Sequence, residues 1–197
     1  MATELAVPIA AIYAVNEIES RGTGFNADDS VVVLFERHIM HKRMLCIGIE
    51  ESDVELASSN WPNLVNRNAG DYMGGTSENY RLKLAKHIHP QAAQESCSYG
   101  LFQIMGYHWQ NLGYKSIEQF VSCMEESEGQ QLQAFRRFIQ TDAHLHRTLK
   151  KCDWAEFAKR YNGKAYKKNK YDTKLATAFD RYLTLYPINQ NTPEAVT

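Results

Sequence analysis

Residues 8–38 read PIAAIYAVNEIESRGTGFNADDSVVVLFERH. The segment predicts a helix, a break, a turn and a strand. Pro8 suits the first turn of a helix, where its missing N–H would have no intrahelical partner. Ile9, Ile12, Val15 and Ile18 recur at helical spacing and predict the buried stripe. Glu19 continues that stripe, whereas Glu17 lies about 200° around the helix from it. Gly22 and Gly24 are expected to stop the helix. Asn26-Ala27-Asp28-Asp29-Ser30 reads as a turn, and residues 31–35 as a short apolar strand. Glu36 follows directly on that strand, at the rim of whatever core the strand joins.

Working outward, residues 37–47 predict a helix. Residues 48–75 form the least regular stretch, with Trp61-Pro62, Gly70 and Gly74-Gly75. A connection of that length in a compact domain is often functional. Thr76 or Ser77 can cap a helix running to Ile88. Pro90 starts a short helix to about Ser96. Residues 98–106, SYGLFQIMG, are apolar and bounded by glycines. Helical periodicity returns over 116–127, 129–141, 144–151, 153–161 and 171–186. Many helices and few strand candidates argue a mainly α fold with a small β element.

The chain has 197 residues, enough to bury a core without metals or disulfides. With 44% hydrophobic and 23% charged residues, it is expected to fold rather than remain disordered. A single domain over 1–186 is expected, with a loose tail over 187–197. Its 22 basic and 23 acidic residues nearly cancel, which gives no global pull toward nucleic acid or an anionic membrane. Lys164, Lys167, Lys168, Lys170 and Lys174 leave room for a local basic face. No apolar run is long enough to span a membrane. The N-terminus lacks a basic start and carries Glu4, which argues against a secretory signal. Cys46, Cys97, Cys123 and Cys152 are widely spaced without a CxxC, and free buried thiols are expected.

Glu19 stands at the end of a half-buried helix. The helix C-terminus carries partial negative charge and burial removes water, so both effects raise the carboxyl pKa. A carboxyl still protonated near neutral pH can serve as a general acid. The ordinary alternative is a solvent-facing glutamate with no role. Glu36 could be a second carboxylate of the site or a substrate-orienting group, or else the partner of a structural salt bridge with Arg37 or another base. Two carboxylates brought to one cleft are the minimal equipment for hydrolysing a glycosidic bond. Gln103 stands among Leu101, Phe102, Ile104 and Met105, so its amide must find either main chain or a ligand. Tyr161-Asn162-Gly163 ends a helix and could place the Tyr161 hydroxyl in a cleft, or be a plain C-cap. The pairs His38/His41, His87/His89 and His144/His146 lack acidic or thiol partners at zinc-like spacing, so no metal or other cofactor is expected. A Cys97-based nucleophile has no supporting motif.

Three pieces resemble the signature of lysozyme-like muramidases and lytic transglycosylases: Glu19-Ser20-Arg21-Gly22, Gly100-Leu101-Phe102-Gln103-Ile104 and Tyr161-Asn162-Gly163. With Phe35-Glu36-Arg37-His38 and Tyr171-Asp172-Thr173-Lys174-Leu175 added, residues 5–186 resemble the N-acetylmuramidases found as phage endolysin domains and antibacterial toxin domains. That resemblance implies a lysozyme-like fold and cleavage of the β-1,4 bond from N-acetylmuramic acid to N-acetylglucosamine. It implies Glu19 and Glu36 as catalytic residues, and Ser98, Gln103, Tyr161 and Asn162 as residues of the sugar site. The implied partners are peptidoglycan glycan strands and an immunity or inhibitor protein, for a monomer that reaches the cell wall by another system's delivery. Lytic transglycosylation, and a non-catalytic wall-binding module on the same scaffold, are the alternatives.

Overall fold

The computed structural model describes residues 1–20 and 22–187. In chain order the helices are α1 (Ala2–Leu5), α2 (Ile9–Glu19), α3 (Arg37–Cys46), α4 (Glu51–Asn60), α5 (Thr76–Ile88) and α6 (Pro90–Glu95). There follow α7 (Ile117–Glu126), α8 (Glu128–Thr141), α9 (Ala143–Lys150), α10 (Trp154–Asn162) and α11 (Tyr171–Leu185). The strands are β1 (Val33–Phe35), β2 (Cys97–Tyr99) and β3 (Ile104–Met105). The expected class, mainly α with a small β element, is what forms. The chain divides into two compact units, 1–20 with 139–197, and 21–138. The loose tail expected from residue 187 lies, beyond Pro187, outside the described residues.

In the first unit α2 packs along α11, and α10 packs on both α9 and α11. The buried face of α2 is Ala10, Ala11, Ala14 and Val15; of the expected stripe of Ile9, Ile12, Val15 and Ile18 only Val15 is buried, and Ile9 is 46% exposed. Small side chains let neighbouring helix backbones approach closely, and three of the four buried residues of α2 are alanines. Leu145, Leu149, Phe157 and Leu175 complete this core. The sequence Asp142-Ala143-His144 starts α9 because the Asp142 carboxylate accepts from the amides of His144 and Leu145. α2 ends at Glu19; its cap residue Ser20 turns extended, two residues before Gly22, the first of the expected glycines.

The second unit is organised on an antiparallel sheet in the order β1-β2-β3. Val33 pairs with Tyr99, Phe35 with Cys97, and Ser98 with Met105. Alternation along β1 buries Val33 and Phe35. α5 packs on β1 and α6, while α3 packs on α4 and α6. Two expectations fail here. The stretch 48–75 contains the regular helix α4, and neither Thr76 nor Ser77 caps α5 through its side chain. Gly75 is the cap residue, in a positive-φ conformation, and Thr76 is the first helical residue. The four cysteines are free, but only Cys97 is buried and Cys46 is exposed.

Gln131, 1% exposed, ties the glycine-bounded segment to the helices. Its carboxamide oxygen accepts from the Leu101 amide at 2.8 Å and its nitrogen donates to the Met124 carbonyl at 2.9 Å. Gly100 sits at φ +69°, and a β-carbon there would lie 2.4 Å from Gln131 Cδ. Gly100→Ala should therefore destabilise the protein by about 2–4 kcal/mol, from left-handed strain and displacement of a bonded amide together. Gly48→Ala, at φ +89° with nothing within 4 Å, carries the strain alone and should lose about 1–2 kcal/mol. Urea unfolding of both variants checks this; equal losses would contradict the role of Gln131.

Candidate active site

Glu19 is the last residue of α2 and is half-buried. Its Oε1 accepts from the Asn162 side-chain amide at 2.8 Å. Burial lifts the carboxyl to about 7, against the smaller opposing effect of the Asn162 hydrogen bond. The environment is short of donors, and the cheapest response of a carboxyl in such a place is to keep its proton. Asn162 closes α10, and Gly163 follows it at φ +71°, where a side chain would be strained. Tyr161 stacks on Phe157 at 5.7 Å. Burial, then the nearby Glu19 and Tyr171, hold its phenol well above its ordinary value. The sequence pieces at 19 and 161–162 are thus brought together in one unit; Arg21, from the first piece, lies outside the described residues.

Glu17 shares nothing with this group. Its carboxylate pairs with the Arg181 guanidinium and accepts from the Tyr182 hydroxyl at 2.8 Å. Those hydrogen bonds, Arg181 first, hold it below the ordinary carboxylate range.

In the other unit, Glu36 stands at the junction of β1 and α3. The salt bridge to Arg37, one of the alternatives to a catalytic role, does not form. The Arg37 guanidinium turns instead to the 61–75 segment, where it pairs with Asp71 and donates to the carbonyls of Pro62, Asn68 and Ala69. Glu36 Oε2 accepts from the Tyr72 hydroxyl at 2.6 Å. His38 Nδ1 lies 3.3 Å from the same oxygen but makes no hydrogen bond among the described residues.

Beneath Glu36 is a buried ion pair that sequence reading missed. Glu78 and Arg81, 0% and 2% exposed, meet at 2.7 Å. Glu78 also accepts from the amides of Phe35, Met73 and Gly74. Arg81 donates to the carbonyls of Phe35 and Asn63. Burial alone would raise Glu78, but the Gly74, Met73 and Phe35 amides and the Arg81 charge hold it below the ordinary carboxylate range. Both main-chain groups of Phe35, the residue before Glu36, are therefore gripped by one pair. Its only sequence signal was an i,i+3 pair of opposite charge on a helix that was otherwise read for its apolar face.

Ser98 and Gln103 face each other across the β2–β3 hairpin. The Ser98 hydroxyl donates to Gln103 Oε1 at 2.9 Å, and Gln103 Nε2 donates to the Gly100 carbonyl at 2.9 Å. Gln103 is held at φ +49°, a conformation its own side-chain bonds help to fix.

The N-acetylmuramidase family profile matches residues 8–183. The chain belongs to the N-acetylmuramidase family. A solved structure, that of the Burkholderia AP3 phage endolysin, is similar at 45% identity and a TM-score of 0.89, over 93% of this chain and 68% of that one. No curated protein matches. This N-acetylmuramidase is accordingly a glycoside hydrolase of the lysozyme type, a peptidoglycan hydrolase. Among the described residues, no helix is long and apolar enough to cross a membrane.

The Glu19 environment has a consequence for stability. Folding raises its pKa from 4.5 to about 7, so its contribution is fully favourable below 4.5 and is lost as pH rises through about 7. Glu19→Gln, neutral at every pH, should be more stable than the parent by about 2–3 kcal/mol at pH 8 and within about 0.5 kcal/mol of it at pH 4. Denaturant melts at the two pH values measure this; an equal difference at both would contradict burial as the cause.

Proposed function

We propose that this N-acetylmuramidase hydrolyses the β-1,4 bond from N-acetylmuramic acid to N-acetylglucosamine, with Glu19 as the general acid. The observation that carries the reading is the half-buried Glu19 carboxyl, lifted to about 7 and held by Asn162. A group with that pKa keeps its proton through much of the neutral range and gives it up to a developing alkoxide. The Asn162 amide donates to one oxygen, which leaves the proton for the other oxygen and for the glycosidic bond.

In this mechanism Glu36 activates the incoming water or stabilises the oxocarbenium-like sugar. Its support is its setting: a carboxylate on a rigid strand end, oriented by a hydroxyl and with no lysine or arginine partner among the described residues. Tyr161 and Asn162 belong to the sugar-contacting surface beside Glu19. In the other unit, Ser98 and Gln103 shape the β2–β3 hairpin, since their polar groups are already engaged with each other and with main chain. The likeness to a phage endolysin supports cell-wall peptidoglycan as the place of action.

Glu19→Gln should lower the rate on purified sacculi by at least roughly a hundredfold, and parent activity should fall as pH rises through about 7. Undiminished lysis by that variant would leave only a wall-binding module. Mass spectrometry of the digest should find reducing muramic ends; 1,6-anhydromuramic ends would assign lytic transglycosylation instead. Glu36→Gln should also lose most of the rate, and full activity in it would remove the second carboxylate from the mechanism.

A further inference from the structure

The segment 61–75 is anchored from two sides. Arg37 holds its first part through the Pro62, Asn68 and Ala69 carbonyls and the Asp71 carboxylate. Glu78 holds its last part through the Met73 and Gly74 amides, at 2.6 and 3.1 Å. Tyr72 lies between the two anchors, with its residue 48% exposed and its hydroxyl 2.6 Å from Glu36 Oε2. Glu36 Oε1 accepts no hydrogen bond among the described residues. The residues flanking Tyr72 are thus held by the same two side chains that sit next to Glu36, one following it in sequence and one gripping Phe35.

We propose that Tyr72 is a positioning residue for Glu36: its hydroxyl fixes Oε2 and leaves Oε1 as the oxygen that works on the water or the sugar cation. The proposal rests on the reading of Glu36 as a catalytic carboxylate.

The choice of donor follows from the chemistry asked of Glu36. A guanidinium on Oε2 would orient the carboxylate equally well but would cancel the negative charge that must act on water or on an oxocarbenium ion. Arg37, the nearest guanidinium in sequence, is drawn away to the segment. A phenol orients without a full charge. Burial, then the hydrogen bond to and the charge of Glu36, push the Tyr72 phenol up to about 12, so it remains a donor across the whole working range. A neutral donor on a carboxylate makes a short, strong hydrogen bond, and short geometry is what is found here.

Tyr72→Phe removes the hydroxyl and keeps the ring, so the anchored segment should keep its fold and the thermal midpoint should barely move. On soluble peptidoglycan fragments its kcat should fall roughly ten- to a hundredfold, while KM stays within about twofold. On a Glu36→Gln background the same change should cost less than about twofold, because nothing remains to be oriented. Full kcat in Tyr72→Phe, with Glu36→Gln impaired, would overturn the positioning role and leave Glu36 catalytic. Full kcat in Glu36→Gln would instead overturn the reading beneath it. A higher KM at unchanged kcat would also overturn the proposal, making Tyr72 a sugar-contacting group, as would an undiminished loss on the Glu36→Gln background.

Discussion

Withdrawal of water from the Glu19 carboxyl is the constraint on which the chemistry rests. Ionising a carboxyl there means placing charge in a poorly solvated spot beside the negative end of a helix, with one neutral amide for company. The first unit is built to enforce that condition. α2, buried through Ala10, Ala11, Ala14 and Val15, packs along α11, and α10 delivers Asn162 to the end of α2. The hydrogen bond from Asn162 stabilises the ionised form less than burial destabilises it, and the net effect lifts the carboxyl to about 7. Packing of an otherwise ordinary helix pair thereby sets a proton's affinity.

Carboxylates elsewhere in the chain are treated in the opposite way. Glu78 is as buried as any described residue, yet three backbone amides and a guanidinium keep it below the ordinary range. Depth alone therefore does not decide protonation; the supply of donors does. Glu78 uses its charge to fix backbone on both sides of Glu36, through Phe35 and through Met73 and Gly74. A buried ion pair of this kind contributes less to net stability than its Coulomb attraction suggests. Here it serves to hold a strand end and a long segment in one register.

Much of this was legible in the sequence because it is local. The helix end at Glu19, the turn before the strand, and the strand running into Glu36 all follow from spacing and turn chemistry within 31 residues. The helical class followed from periodicity. What failed was non-local. Of the stripe expected on α2 only Val15 is buried, beside three alanines, because burial depends on which neighbouring elements cover a face and not on the helix alone. α4 was read as irregular because only Val54 and Ala57 of it are buried, too few to register as a period. Arg37 was the obvious partner for Glu36, but four acceptors along 62–71 outweigh one neighbouring carboxylate. Tyr72, 36 residues away, carried no signal of its own beyond its place in a long connection. Glu78 and Arg81 were invisible because patterns read charged residues as surface.

The claim that burial keeps Glu19 protonated at neutral pH can be tested on the carboxyl itself. Carbon-13 NMR of the side-chain carboxyl of Glu19, assigned with Glu19→Gln and titrated in the ligand-free protein, reports its midpoint directly. The account predicts a midpoint near 7. A midpoint near the ordinary glutamate value of about 4.3 would contradict it.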